Sequence, residues 1–179
     1  LTGIQNLAYA PCMVVLGLLL LAACFGVVGQ AVRRWFPQTS AAAYLLAVAA
    51  VVLGSQLYYL LVRPYIYEYA ILCGAALLML GLWLWLSAAN TPVEKRGAIL
   101  AKLAFGSLFA ALVAGCRPQM ELFAFLAVLI FWQRYIGQKR LCSRAGAGEA
   151  AAFILPVVAV AAGLMWYNAA RFGSPLDFG

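Results

Sequence analysis

The sequence predicts an all-α integral membrane protein, with about six transmembrane helices and both termini outside the cytoplasm. Three observations lead there. Of the 179 residues, 67% are apolar and 9% charged, whereas soluble domains are nearer half apolar and a quarter charged. The apolar residues are collected into stretches of about 20, the length a helix needs to cross roughly 30 Å of hydrocarbon. Lysine and arginine then alternate in abundance from one connecting segment to the next. The chain has no histidine, which excludes imidazole acid–base chemistry and imidazole-ligated zinc or haem. Its five cysteines (Cys12, Cys24, Cys73, Cys116, Cys142) are scattered and odd in number, so no disulfide framework or metal cluster is indicated.

The spans follow in order at approximately 9–32, 41–62, 66–88, 97–116, 118–132 and 149–167, and they form a single helical bundle over 1–179. Leu, Ala, Val and Gly fill them without period-two alternation, which disfavours a β-barrel. The first does not read as a signal peptide, because no basic segment precedes it. The second carries Ser55 and Gln56 at depth and the fourth carries Ser107; hydrogen bonding between helices accounts for all three. Lys102 lies near one end of the fourth span, from which its stem can snorkel to the interface. The fifth span is the weakest, with Glu121 at its edge and only residues 122–133 free of charge. Small residues four apart (Ala110 with Ala114, Ala111 with Gly115, Ala159 with Gly163), together with Gly74 and Gly81, suit close helix packing. The segment 134–148, basic and ending Ala-Gly-Ala-Gly, reads as a flexible connection.

Nine cations fall in the first, third and fifth connections: Arg33, Arg34, Lys95, Arg96, Lys102, Arg134, Lys139, Arg140 and Arg144. The second and fourth connections and the tail hold one each, Arg63, Arg117 and Arg171. The positive-inside rule makes the richer set cytoplasmic. With Glu94 and Glu149 counted, that side carries the whole net charge of +7. The basic excess is thus a topology signal, helped by anionic inner-leaflet lipids, and not a nucleic-acid footprint.

Each outer segment pairs an arginine with an acid near a proline: Arg63-Pro64 with Glu68, Arg117-Pro118 with Glu121, and Arg171 with Pro175 and Asp177. Proline after arginine ends one helix and starts the next. Glu68 and Glu121 then fall in the first turns of the following helices, where the dipole favours a carboxylate. These residues suit anchoring and capping. Three guanidinium groups on one face also suit a phosphate or pyrophosphate, whose oxygens match the planar donors two at a time. The residues alone leave both roles open. Tyr58, Tyr59, Tyr65, Tyr67, Tyr69, Trp166 and Tyr167 read as an interfacial belt at this face or as a sugar-stacking surface, and Trp83, Trp85, Trp132 and Tyr135 as the opposite belt.

Three segments together carry a family likeness: Arg63-Pro64-Tyr65-Ile66-Tyr67-Glu68 with Ala70-Ile71-Leu72-Cys73-Gly74, then Ala114-Gly115-Cys116-Arg117-Pro118, and the tail from Trp166 to Gly179 with its N-x-x-R-F-G-S-P core. Their order and spacing resemble bacterial multipass proteins of the GT-C glycosyltransferase superfamily, in the protein-mannosyltransferase-like branch. The resemblance implies a plasma-membrane enzyme that moves a sugar from a polyprenyl-phosphate donor to an acceptor outside the cytoplasm. It implies an acidic base in the first outer loop and basic residues on the lipid phosphate. Arg63, Arg117 and Arg171 would line that phosphate site, Glu68 and Glu121 would orient them, and Asp177 is the acid of the tail.

No acid precedes Glu68, so the equivalent base is expected upstream of Leu1. A start without methionine and a stop inside the tail motif lead us to expect a piece of a longer protein, with an outer domain after Gly179. Membrane lipids and a polyprenyl-phosphate sugar are the expected partners. No cofactor is evident, and metal dependence is left open. The rival readings are a transporter or flippase module, which calls for broken helices and polar groups near mid-span with Gly54-Ser55-Gln56 the nearest instance, and a non-catalytic membrane scaffold.

Overall fold

The computed structural model describes residues 2–62, 65–132 and 143–177, with some side chains at the N-terminus and between 118 and 127 excepted. No strand occurs among the described residues. The helices are α1 (Thr2–Trp35), α2 (Ala41–Gly54), α3 (Leu57–Val62), α4 (Ile66–Ala89), α5 (Arg96–Cys116), a 3-10 helix (Pro118–Phe125), α6 (Leu126–Phe131) and α7 (Arg144–Phe172). Among the described residues four stretches are long and apolar enough to cross a membrane: Ala10–Trp35, Ile66–Ala89, Arg96–Cys116 and Arg144–Phe172. The chain is therefore all-helical and of membrane character. Large apolar side chains stand bare on its flanks, Leu46, Leu53, Leu155 and Trp166 among them. A water-soluble monomer does not leave such surface uncovered.

The other two expected spans take different forms. Residues 41–62 do not make one helix. Ser40 caps α2 by accepting the Ala43 N–H at 3.3 Å. The helix then stops where the Ser55 hydroxyl bonds back to the Val52 carbonyl at 2.6 Å and Gln56 takes the left-handed φ of 53°. Serine bonding back onto its own turn competes with the helical ladder. The Gln56 carbonyl then accepts the Leu60 N–H and starts α3. Ser55 thus bonds locally, and the exposed Gln56 marks a break instead of bridging helices.

In residues 118–131, eight residues form 3-10 helix before α6 begins. A 3-10 helix rises about 2.0 Å per residue against 1.5 Å in an α-helix, so the two pieces reach about 25 Å where an α-helix of that length reaches about 21 Å. A short apolar run gains length in this way. Ser143 caps α7 by accepting the Gly146 N–H at 3.0 Å, which draws residues 144–148 into helix. Their small side chains do not keep them in a flexible loop; the rest of that expected connection, residues 134–142, lies outside the described residues.

Side-chain contacts fix the direction of every piece. α1 and α4 run parallel: Trp83 lies against Gly26, and Asn90 bonds Gln30. α2 turns back along α1, with the Tyr44 hydroxyl donating to the Phe25 carbonyl at 3.1 Å and Leu57 and Leu61 reaching Gly17. α4 and α5 are antiparallel and very close. A Cβ on Gly81 would stand 2.9 Å from the Gly106 carbonyl oxygen, and one on Gly106 would stand 2.7 Å from the Trp85 ring. The 3-10 helix and α6 return along α4, from Met120 beside Gly74 to Ile130 beside Arg34. α7 runs parallel to α5, from Gly148 beside Arg96 to Leu164 beside Gly115. Each expected stretch thus reverses its predecessor. Arg33, Arg34, Lys95, Arg96 and Lys102 collect at one end, the basic end, while Arg117 and Arg171 lie toward the other.

Trp85 fastens the bundle just inside the basic end. It is 2% exposed, its indole N–H donates to the Ser107 hydroxyl at 3.2 Å, and it stacks on Phe153 at 5.2 Å and meets Phe131 edge-on. Four elements are pinned by one ring. Trp85 therefore belongs to the core and not to an aromatic belt, and Ser107 makes the inter-helix bond its position suggests. Ala159 and Gly163 are exposed on α7 and no atom lies within 4 Å of a Gly163 Cβ, so this pair packs no helix here.

Candidate functional site

The end opposite the basic one is assembled from the start of α4, the end of α5 and the end of α7. Cys116 and Arg117 sit against Gly74 of α4. The Arg117 N–H caps α5 by donating to the Val113 carbonyl at 2.8 Å, and its backbone is extended (φ −153°, ψ 94°), as a residue before proline must be. That conformation turns the side chain across to α4. The guanidinium carbon lies 3.7 Å from the centroid of the Tyr67 ring, a close cation–π stack. Its Nε is buried and has no hydrogen-bond partner.

The other predicted residues are disposed differently. Glu68 lies in the first turn of α4, half-buried, but the ring of its neighbour Tyr67 is what meets Arg117. Glu121 falls within the 3-10 helix and its side chain is outside the described set. A shared face between Arg117 and Glu121 requires an α-turn. A 3-10 turn instead aligns residues three apart, and the Met120 N–H donates to the Arg117 carbonyl at 3.0 Å. Arg171 is exposed and engages its own helix, donating to the Tyr167 hydroxyl at 2.6 Å and lying 5.2 Å from the Phe172 ring. Asp177 is exposed in the tail. Arg63 lies outside the described residues.

The N-x-x-R-F-G-S-P segment has a clear local role. Gly173 adopts φ 78° and its N–H closes α7 onto the Ala169 carbonyl, a left-handed cap that favours glycine. The buried Asn168 amide donates to the Pro175 carbonyl at 3.4 Å and holds the tail back over the helix end.

Three features escape sequence reasoning. Cys73 and Cys116, 43 residues apart in sequence, are brought side by side next to Arg117, and both are free. Glu149 is fully buried in the second turn of α7. Arg33, Lys95 and Lys102, read from sequence as topology signals, line one cavity of about 610 Å³. Only the packing of α1 and α5 on α4 brings them together. Among the described residues no group of three His, Cys, Asp or Glu side chains could hold a metal ion. No protein family, curated protein or solved structure matches the chain.

Proposed function

We propose that these helices form the bundle of a bacterial plasma-membrane protein that crosses the bilayer six times with both termini outside. Its outer end binds the phosphate of a polyprenyl-phosphate sugar, and the sugar passes to an extracytoplasmic acceptor. Arg117 carries this reading. Stacked on Tyr67 with a buried Nε lacking a partner, it is a guanidinium whose plane is set and whose Nε donor is uncommitted. Donors placed in advance where negative charge grows on a departing phosphate lower the barrier electrostatically. Arg171 follows about two turns beyond Leu164 on a helix packed against α5, toward the same end of the bundle as Arg117. Arg63, Glu68, Glu121 and Asp177 complete the proposed rim.

The test is Arg117→Ala in the native protein reconstituted with lipid-linked sugar. Sugar consumption should fall at least about 100-fold, the usual cost of removing one charge-stabilising donor, with partial recovery in Arg117→Lys. Unaltered turnover overturns the assignment. Cysteine-accessibility labelling at Arg63 and Lys139 tests the topology separately, and labelling from the same side rejects it.

One observation favours a second reading, a transporter or flippase: the interruption at Ser55-Gln56. Discontinuous helices line many transport pathways. Here, however, the Gln56 side chain is exposed on the outside of the bundle. Lipid translocation in vesicles without sugar transfer would prefer that reading.

A further inference from the structure

We propose that the cavity at the basic end is a binding site for a net-anionic phosphate group, the headgroup of an acidic phospholipid being the source its surroundings favour. This inference concerns the end of the bundle away from Arg117 and does not depend on sugar transfer. The cavity, about 610 Å³, is lined by Arg33 from the end of α1, Lys95 from the α4–α5 turn and Lys102 from α5. That volume is in the range of ordinary ligand pockets, roughly 300–1,000 Å³. No acidic residue lines it; Glu94, the nearest in sequence, is exposed beside it.

The walls are organised before any ligand arrives. The Asn90 amide donates to the Gln30 side-chain and backbone oxygens at 2.9 and 3.0 Å and accepts from Arg34 at 3.3 Å, which locks α1 to α4. The Lys102 ammonium donates to the Thr91 hydroxyl at 2.9 Å, and that hydroxyl donates to the Ser87 carbonyl at 2.7 Å. This sequence of bonds leaves Lys102 with two further N–H groups. The side chains of Arg33 and Lys95 are exposed and, among the described residues, form neither ion pair nor hydrogen bond. A second donor set adds to the cations. Lys95 is the N-cap of the 21-residue α5 and makes no side-chain cap bond to the N–H groups of the first turn, and Ala98 of that turn lines the cavity. An uncapped helix N-terminus presents unsatisfied donors and positive potential to an anion.

The rim points to lipid as the source. Trp35, Phe36 and Val93 stand 50–64% exposed beside the cations, and an aromatic and apolar collar around basic side chains is the composition of a membrane interface. A lipid headgroup could occupy the cavity while its chains lie along the bare flank of the bundle.

Native mass spectrometry of the full-length protein in detergent tests this, with dioctanoyl phosphatidylglycerol, dioctanoyl phosphatidylcholine and inorganic phosphate as probes. The variant is Arg33→Gln with Lys95→Gln, two exposed side chains whose loss removes no contact the fold uses. Arg144→Gln, a basic residue outside the cavity, is the control. Phosphatidylglycerol should bind better than phosphatidylcholine, and its affinity should drop at least tenfold in the double variant and stay unchanged in the control. Binding of phosphatidylglycerol but not inorganic phosphate assigns the headgroup. Inorganic phosphate bound through the same two residues keeps the anion site and assigns a soluble source. Equal binding by wild type and double variant, phosphatidylcholine bound as well as phosphatidylglycerol, or no binding of either anion by the wild type overturns the proposal.

Discussion

The two ends of the bundle use cations in opposite ways. At the basic end, polar side chains reach across helices: Arg34 to Asn90 and Ile130, Asn90 to Gln30, Lys102 to Thr91. At the other end the described arginines rest on rings, Arg117 on Tyr67 and Arg171 on Tyr167 and Phe172, and the bond from Arg171 to Tyr167 stays within a single helix. The first end is a fastened frame around a cavity. The second leaves the Arg117 Nε uncommitted, as the proposed phosphate role requires. Similar residue types thus produce rigidity or readiness according to whether their partners are amides on neighbouring helices or aromatic faces.

Substitutions ranked by effect can break or sharpen that contrast. The largest lies between the ends. Gly106→Leu would drive a side chain into Trp85 and the Gly81 carbonyl, where a single added Cβ already comes within 2.7 Å of the ring. Overpacking of this kind costs about 3 kcal/mol, so thermal unfolding in detergent should drop steeply and both ends should loosen together. Next is Asn90→Ala, which removes three hydrogen bonds between α1 and α4. At well under 1 kcal/mol per bond within a membrane bundle, the loss is about 2 kcal/mol. Hydrogen exchange should rise at the end of α1 and the start of α5 while α3 and the start of α4 stay protected. Equal loosening at both ends would erase the contrast.

A smaller effect is expected at Tyr67. Tyr67→Ala removes the surface beneath Arg117, and a cation–π stack at a half-exposed site contributes about 1 kcal/mol. The melting temperature should fall by a few degrees at most, binding of a lipid phosphate at that end should weaken by up to about fivefold, and Tyr67→Phe should keep most of both. The smallest is Arg171→Ala. Its exposed bond to Tyr167 is worth less than about 0.5 kcal/mol, so stability should be unchanged within error; a clear drop would mean that this end is fastened too.

How much was legible in the chain varies by element. The long helices are readable to within a few residues where apolar residues run unbroken, as in 66–89 and 96–116, because hydrocarbon length and helical rise set the count. α7 extends further at both ends than its apolar run, because caps at Ser143 and Gly173 carry helix into polar sequence. The break at Gln56 and the 3-10 form of 118–125 follow from local bonding that hydropathy does not register. At the candidate site, Arg117 was visible as an arginine before proline at the end of a span, but its partner was not. Charge pairing favoured Glu121 at four-residue spacing, and the extended cap with the 3-10 turn delivered Tyr67 from a different helix. The contact of Cys73 with Cys116 and the cavity shared by Arg33, Lys95 and Lys102 join residues from separate helices, and no spacing rule reaches them.

Composition by itself determined that this chain is helical and apolar on its outside, because a backbone with no water to bond must satisfy itself along its own helix. The sorting of cations between alternate connections was also written in one dimension, since it depends only on which residues precede and follow each apolar run. Which of those cations meet, around what, and with which donors left over was settled only by helix against helix. Two glycines let α4 and α5 approach to backbone contact, one tryptophan pins four elements, and three side chains up to 69 residues apart come to face a common space. Close packing is a property of pairs of surfaces, and pairs are formed only when the chain folds.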